Sequence, residues 1–273
     1  MPGHHDLVRH TSRAITARDG YPEARLQLVA GDVNRVHDEL RRDAKAMAGR
    51  VAAEAPAAQM AQESLFEYHL YTLARPTTIA DNQTKQVALL GAAGVPVTKE
   101  LVLQGADYYY RSSVGNIGQQ MKVGVFVQFE NREASHLGMP MPKGVVRVYK
   151  KDSAGNAQFV GEDRIDHTPR NERVRLKLGE AFDVTADKKQ TDFKRRDTVS
   201  PWSYVHESAY EIVLRNAKKE AVTVAVREPL PGDWTMLQET ERHQKVAAGT
   251  AEWKVRVPPE GNATLRYRVL VRY

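Results

Sequence analysis

Apolar residues recur at every second position through most of this chain, the spacing of a strand with one buried face. Met121, Val123, Val125, Val127 and Phe129 alternate with Lys122, Gly124, Phe126 and Gln128. Val174, Leu176 and Leu178 alternate with Arg173, Arg175 and Lys177. Trp253, Val255 and Val257 alternate with Glu252, Lys254 and Arg256, and Leu265, Tyr267, Val269 and Val271 with Arg266, Arg268 and Arg272. The stretch 67–90 reads as a strand, a corner at Pro76, a polar turn at Asp81-Asn82 and a second strand. In its first strand Phe66, Tyr68 and Leu70 face one way and Leu65, Glu67, His69 and Tyr71 the other, so both faces are partly apolar and a central strand is expected.

Turn residues separate these strands at short intervals. Asp152-Ser-Ala-Gly-Asn156 predicts a hairpin between strands at 145–150 and 157–161. Asn216-Ala-Lys-Lys-Glu220 predicts a second, between 210–215 and 222–226, and a long polar strand pair surrounds Phe182 to Arg196. About a dozen strands without a strong helix predict an all-β fold, a mostly antiparallel β-sandwich. Only residues 36–62 differ. There Val36, Leu40, Met47 and Val51 recur at roughly helical spacing, broken by Gly49 and Pro56, which reads as a short helical or flexible insertion. Residues 1–20 show neither period and read as an unstructured leader. Residues 21–273 form the β-rich domain, with an internal boundary expected near 104–120, where Gly, Ser and Tyr interrupt the alternation.

Composition narrows the class. At 273 residues, 41% hydrophobic and 27% charged, the chain can bury a sizeable core. The absence of cysteine excludes disulfides, thiolate zinc sites and a Cys nucleophile. The longest apolar run, 87–97, holds two glycines and a proline and is far short of a membrane-spanning helix. The N-terminus has no hydrophobic segment of the kind a signal peptide needs. The net charge of +6 is spread along the chain and is accounted for by solvated outer faces and strand edges.

Candidate chemistry is sparse. Glu162-Asp163-Arg-Ile-Asp166-His167 gathers carboxylates and an imidazole, and Asp163, Asp166 and His167 could touch a hard cation, but no calcium-loop or HExxH spacing is present. Lys188, Lys189, Lys194, Arg195 and Arg196 make a basic patch around Phe193, which could bind nucleic acid or form the charged face of a β-ribbon. His4, His5 and His10 read as solvated terminal residues. Tyr108-Tyr109-Tyr110 cannot form one platform in a strand, because alternate side chains point to opposite faces. His69 reads as a hydrogen-bonded strand histidine, since no GxSxG-type motif accompanies it. No phosphate-cradling loop exists: 115–118 lacks the third glycine and the Lys-Ser/Thr ending. No catalytic residue and no cofactor is assigned.

Several stretches together carry a family resemblance. They are 67–90, 147–163 (Arg-Val-Tyr-Lys-Lys-Asp-Ser-Ala-Gly-Asn-Ala-Gln-Phe-Val-Gly-Glu-Asp), 175–184 (Arg-Leu-Lys-Leu-Gly-Glu-Ala-Phe-Asp-Val), and 210–234 with its Glu-Pro-Leu-Pro-Gly-Asp-Trp ending. Over roughly 21–273 the chain resembles the C-terminal half of the bacterial mucoidy-inhibitor-A-like family, an uncharacterised domain of unknown function. The resemblance implies a β-rich fold and offers no catalytic residue to carry over. Members are typically longer and often exported, so it implies a fragment of an exported protein, located in the periplasm or cell envelope. The functional expectation is a non-enzymatic, envelope-associated binding or structural module whose partner is an envelope polysaccharide or protein. The alternative is a metal-dependent or hydrolytic enzyme with a pocket near Asp163 and His167; the third reading is a nucleic-acid binder using 188–196.

Overall fold

A computed structural model describes residues 4–5, 7–16, 20–31, 60–73, 76–81, 84–197 and 201–273. Among them the fold is all-β, and nothing more helical than two short 3-10 turns occurs. The chain divides into two compact units, Met1–Thr98 with Val127–Leu178, and Lys99–Phe126 with Gly179–Tyr273.

The first unit holds strands β1 (His4–His5), β2 (Leu7–Thr16), β3 (Tyr21–Ala24), β4 (Gln27–Ala30), β5 (Met60–Leu65), β6 (Tyr68–Leu73), β7 (Thr77–Ile79), β8 (Thr84–Ala92) and β9 (Val95–Pro96). Further along the chain, β10 (Thr98–Gln104) and β11 (Asn116–Glu130) precede the hairpin of β12 (Gly144–Lys151) and β13 (Ala157–Ile165). The hairpin forms as expected. Its turn is fixed by Asp152, whose Oδ1 accepts the Ala154 and Asn156 amides, and Gly155 supplies the left-handed φ of +86°. The four-stranded sheet runs β13-β12-β2-β8, and the small sheet β4-β6-β5 lies in the same unit. Leu90, Val95, Val97, Phe129, Val146 and Leu176 are among the residues of one core cluster. Buried Asn131 ties its loops: Nδ2 donates to the Met139 and Pro169 carbonyls, and Oδ1 accepts the Gly138 amide.

Two expectations change here. Residues 7–16, read as an unstructured leader, form β2 and pair with both β12 and β8. Their polar run, Arg9 to Arg13, has no alternation to betray it, and ladder pairing draws on backbone groups that every residue carries. Residues 36–59 of the expected insertion lie outside the described residues, whereas 60–62 begin β5.

The second unit is built on a nine-stranded sheet. Its later strands are β14 (Arg173–Arg196), β15 (Val205–Asn216), β16 (Val222–Pro229), β17 (Asp233–Glu239), β18 (Gln244–Ala247), β19 (Thr250–Val257) and β20 (Gly261–Arg272). The order is β17-β20-β15-β14-β11-β10-β16-β19-β18. β10 pairs in parallel with β16, whereas β14–β15, β15–β20, β20–β17, β16–β19 and β19–β18 are antiparallel. The two ends of the order are β17 and β18, which a short turn joins, so the sheet curls over and its two halves face each other. Trp253 of β19 stacks on Tyr267 of β20 at 4.7 Å, although the two strands never pair. This is the expected sandwich, closed by curling.

The hairpin expected between 210–215 and 222–226 does not exist. β15 pairs with β14 and β20, whereas β16 pairs with β10 and β19 in the other half. The connection is an arch held by buried Asn216, whose Nδ2 donates to the carbonyls of Glu220 and Pro258 while Oδ1 accepts the Lys218 amide. The expected boundary at 104–120 lies inside the second unit; the chain changes unit at 98/99, 126/127 and 178/179 instead. The polar strand pair around Phe182–Arg196 is one 24-residue strand.

Candidate functional site

The inward face of β14 starts apolar and turns polar. Val184 and Ala186 are fully buried, and Lys188 and Gln190, two and four residues on, keep the same direction. On the facing half, Val224 and Val226 of β16 are followed by Glu228, also fully buried. The curl of the sheet brings the two exceptions together. Lys188 Nζ lies 2.6 Å from Glu228 Oε1, and neither side chain has any solvent exposure.

Four tyrosines enclose this pair. Tyr109 and Tyr110 come from a 3-10 turn at Asp107–Tyr110, not from a strand, which lets both point inward while Tyr108 stays exposed. Tyr210 comes from β15 and Tyr267 from β20. The Tyr110 hydroxyl donates to Glu228 Oε2 at 2.7 Å. Its single proton is then spent, so Tyr267 is the donor in the 2.8 Å contact between the two hydroxyls. The Lys188 ammonium sits 4.4 Å from the Tyr109 ring centroid and 5.1 Å from that of Tyr210, within range of cation–π attraction. Gln190 fixes the loop carrying the turn: its Nε2 donates to the carbonyls of Tyr109 and Ser112, and its Oε1 accepts the Val114 amide.

Electrostatics follow from burial. Desolvation pushes the Lys188 ammonium below its usual range, opposed by the Glu228 carboxylate. Burial pushes Tyr110 and Tyr267 well above the ordinary phenol value, with Glu228 adding to it, and raises Tyr210 to about 12. The protein thus keeps a salt bridge and several phenols in a dry core. No substrate reaches them unless the sandwich opens.

The outward face of the same strands is open. A polar groove of about 600 Å³ is lined by Gln119, Gln120, Thr185, Asp187 and Arg215, and Asn116, Lys189 and Glu211 line an adjoining hollow. Arg215 and Asp187 pair at 2.6 Å. That contact holds the Asp187 carboxyl below the usual range and raises the Arg215 guanidinium. Asp187 also accepts the amide of Gln120, whose backbone is left-handed at φ +51°, a conformation that a non-glycine residue adopts at a cost.

The residues singled out from sequence scatter. Lys188 is not part of an exposed patch. Of the rest, Lys189 pairs with Glu211, Lys194 with Asp192, and Arg196 with Glu207, while Arg195 is exposed. Arg268 closes this network by bonding both Asp192 and Glu207. Their charges are thus largely met by carboxylates on the same surface. In the first unit, the Asp163 carboxylate accepts the backbone amides of Arg164 and Lys177, His167 Nδ1 accepts the Lys143 amide, and Asp166 is exposed. Among the described residues no three His, Asp or Glu side chains converge as a metal site. His69 bonds Gln62 across the β5–β6 pair at 3.0 Å. Glu228, Tyr267 and the Asp187–Arg215 pair were missed. Their signal was parity: Lys188 and Glu228 each fall on the apolar set of their own strand, and Asp187 and Arg215 on the opposite one.

The fold and this arrangement define an all-β protein with a curled nine-stranded sandwich, an ionic core and a polar outer groove. Within that class, the chain belongs to the DUF4139 family, a domain of unknown function matched over residues 16–273. No curated protein and no solved structure matches it.

Proposed function

We propose that this chain is a non-enzymatic binding or structural module whose outer groove takes a neutral, hydroxyl-rich polymer of the polysaccharide class. The observation that carries the reading is the groove around Asp187 and Arg215. Its amide and hydroxyl side chains (Gln119, Gln120, Thr185) offer both donors and acceptors, the pattern that hydroxyl groups satisfy. The Arg215–Asp187 pair is internally neutralised, so it favours a polar neutral ligand over an anion. The strongest ionisable constellation, by contrast, is sealed in the core, which argues against turnover of an external substrate there. An envelope location, and kinship with the mucoidy-inhibitor-A-like proteins, belong to the same proposal and rest on the sequence resemblance.

The test is retention on immobilised envelope polysaccharides, compared with Arg215→Ala and Thr185→Ala. Binding that drops at least several-fold in both variants, with unchanged thermal midpoints, supports the groove. Equal retention of all three proteins, or none by any, refutes it.

A further inference from the structure

We propose that Lys188 and Glu228 become joined by an amide bond between Nζ and Cδ, an internal cross-link tying the two halves of the sandwich together. The site carries the requirements of that reaction. Amine and carboxylate are in contact at 2.6 Å, from β14 and β16, strands in opposite halves of the curled sheet. Nothing else competes for the carboxylate except one phenol, because Oε2 takes the Tyr110 hydrogen bond and Oε1 faces Lys188. Gly105 brings its Cα against the carboxylate so closely that even a methyl group would overlap it, which fixes the carboxyl where it stands.

The equilibrium favours condensation here for the reason that it does not in water. In solution, an amide hydrolyses largely because water stabilises the resulting ammonium and carboxylate. In this core both ions have lost that hydration, while the amide is neutral and polar only at N–H and C=O. Bulk water, the reagent of the reverse reaction, is also excluded. Contact between the groups replaces a bimolecular encounter. Burial, moreover, pushes Lys188 toward the free amine, which is the nucleophile.

The step balances without a further reagent. The Nζ lone pair attacks Cδ, and negative charge gathers on Oε2, where the Tyr110 hydroxyl already donates. The Cδ–Oε1 bond breaks. Two of the three ammonium protons leave with Oε1 as one water, and the third stays as the amide N–H. Tyr267, bonded to the Tyr110 oxygen, holds that phenol in place. The product keeps a carbonyl acceptor for Tyr110 and removes both charges from the core. It does not depend on the groove or on any ligand.

Intact-mass spectrometry of the purified full chain decides this, followed by peptide mapping. The expected result is a protein lighter than its sequence by one water, with a branched peptide connecting the segments that hold Lys188 and Glu228. A mixed population whose lighter fraction grows on incubation of the folded protein supports the cross-link equally. Tyr110→Phe, which preserves the ring, is expected to slow that growth severalfold. Lys188→Arg should show no water loss. A wild-type mass equal to the sequence mass, unchanged on prolonged incubation, overturns the proposal, as does a water loss mapped to any other pair. The wild-type measurement suffices even where a variant fails to fold.

Discussion

Replacing Gly105 by alanine is a severe test of how the ionic core is packed. Gly105 follows β10, and its amide donates to the Arg227 carbonyl, the residue beside Glu228. A Cβ there would stand 2.1 Å from Glu228 Oε2 and 2.5 Å from its Cδ, whereas such contacts are essentially never below 3.0 Å. The backbone does not itself demand glycine, since Gly105 has no left-handed φ. The whole cost therefore comes from the collision. Either β10 moves away from β16, or the carboxylate turns out of its contacts with Lys188 and Tyr110. Overpacking of a core alone costs about 1–3 kcal/mol. Breaking a buried ion pair costs about 3–5 kcal/mol, because a charge is left unpaired in the dry interior. We expect Gly105→Ala to lose about 2–5 kcal/mol, between these limits. Urea unfolding measures it, and the control is the same change in a Glu228→Ala background, where the methyl group meets open space. There the further loss should fall below about 1 kcal/mol, a coupling of the size neighbouring residues show. Equal losses in both backgrounds would refute the packing argument, and so would a Gly105→Ala protein as stable as the wild type.

Alkali should unfold the protein through its buried tyrosines. Tyr71 and Tyr210 are raised to about 12, and Tyr110 and Tyr267 are raised too, whereas unfolded tyrosine titrates near 10. Stability is fully present below about pH 10 and is lost as pH rises toward 12, with Tyr210 alone contributing about 3 kcal/mol. Lys188, lowered in the folded state, acts with the opposite sign and only up to its ordinary value of 10.5. Urea midpoints across this range, read beside tyrosinate absorbance, check it; ionised tyrosines in a still-folded protein would contradict it. Asn216→Ala should cost about 1–3 kcal/mol, because the carbonyls of Glu220 and Pro258 lose their donor in the arch between the sheet halves. Asn216→Asp keeps the acceptor for the Lys218 amide but sets a buried carboxylate oxygen against both carbonyls, so it should cost more than alanine, and a smaller loss would argue against the assigned bonds.

Strand identity was legible because it is a local property. Alternation in β11, β14, β19 and β20 follows from one face meeting apolar neighbours and the other water, and a strand writes that on its own residues. The same alternation carried the ionic core, since Lys188 follows Val184 and Ala186 on one face and Glu228 follows Val224 and Val226 on another. What that pattern omits is the partner. β15 and β16 look like a hairpin in sequence, yet Asn216 carries the chain across to the opposite half of the sheet. β2 shows no pattern, because its pairing with β12 and β8 uses backbone groups common to every residue. Sequence by itself therefore determined the class, most of the alternating strands and the two faces of each. Only the tertiary structure decided which hidden side chains meet, because strand order depends on sheet curvature and long-range closure, which no short window of residues encodes.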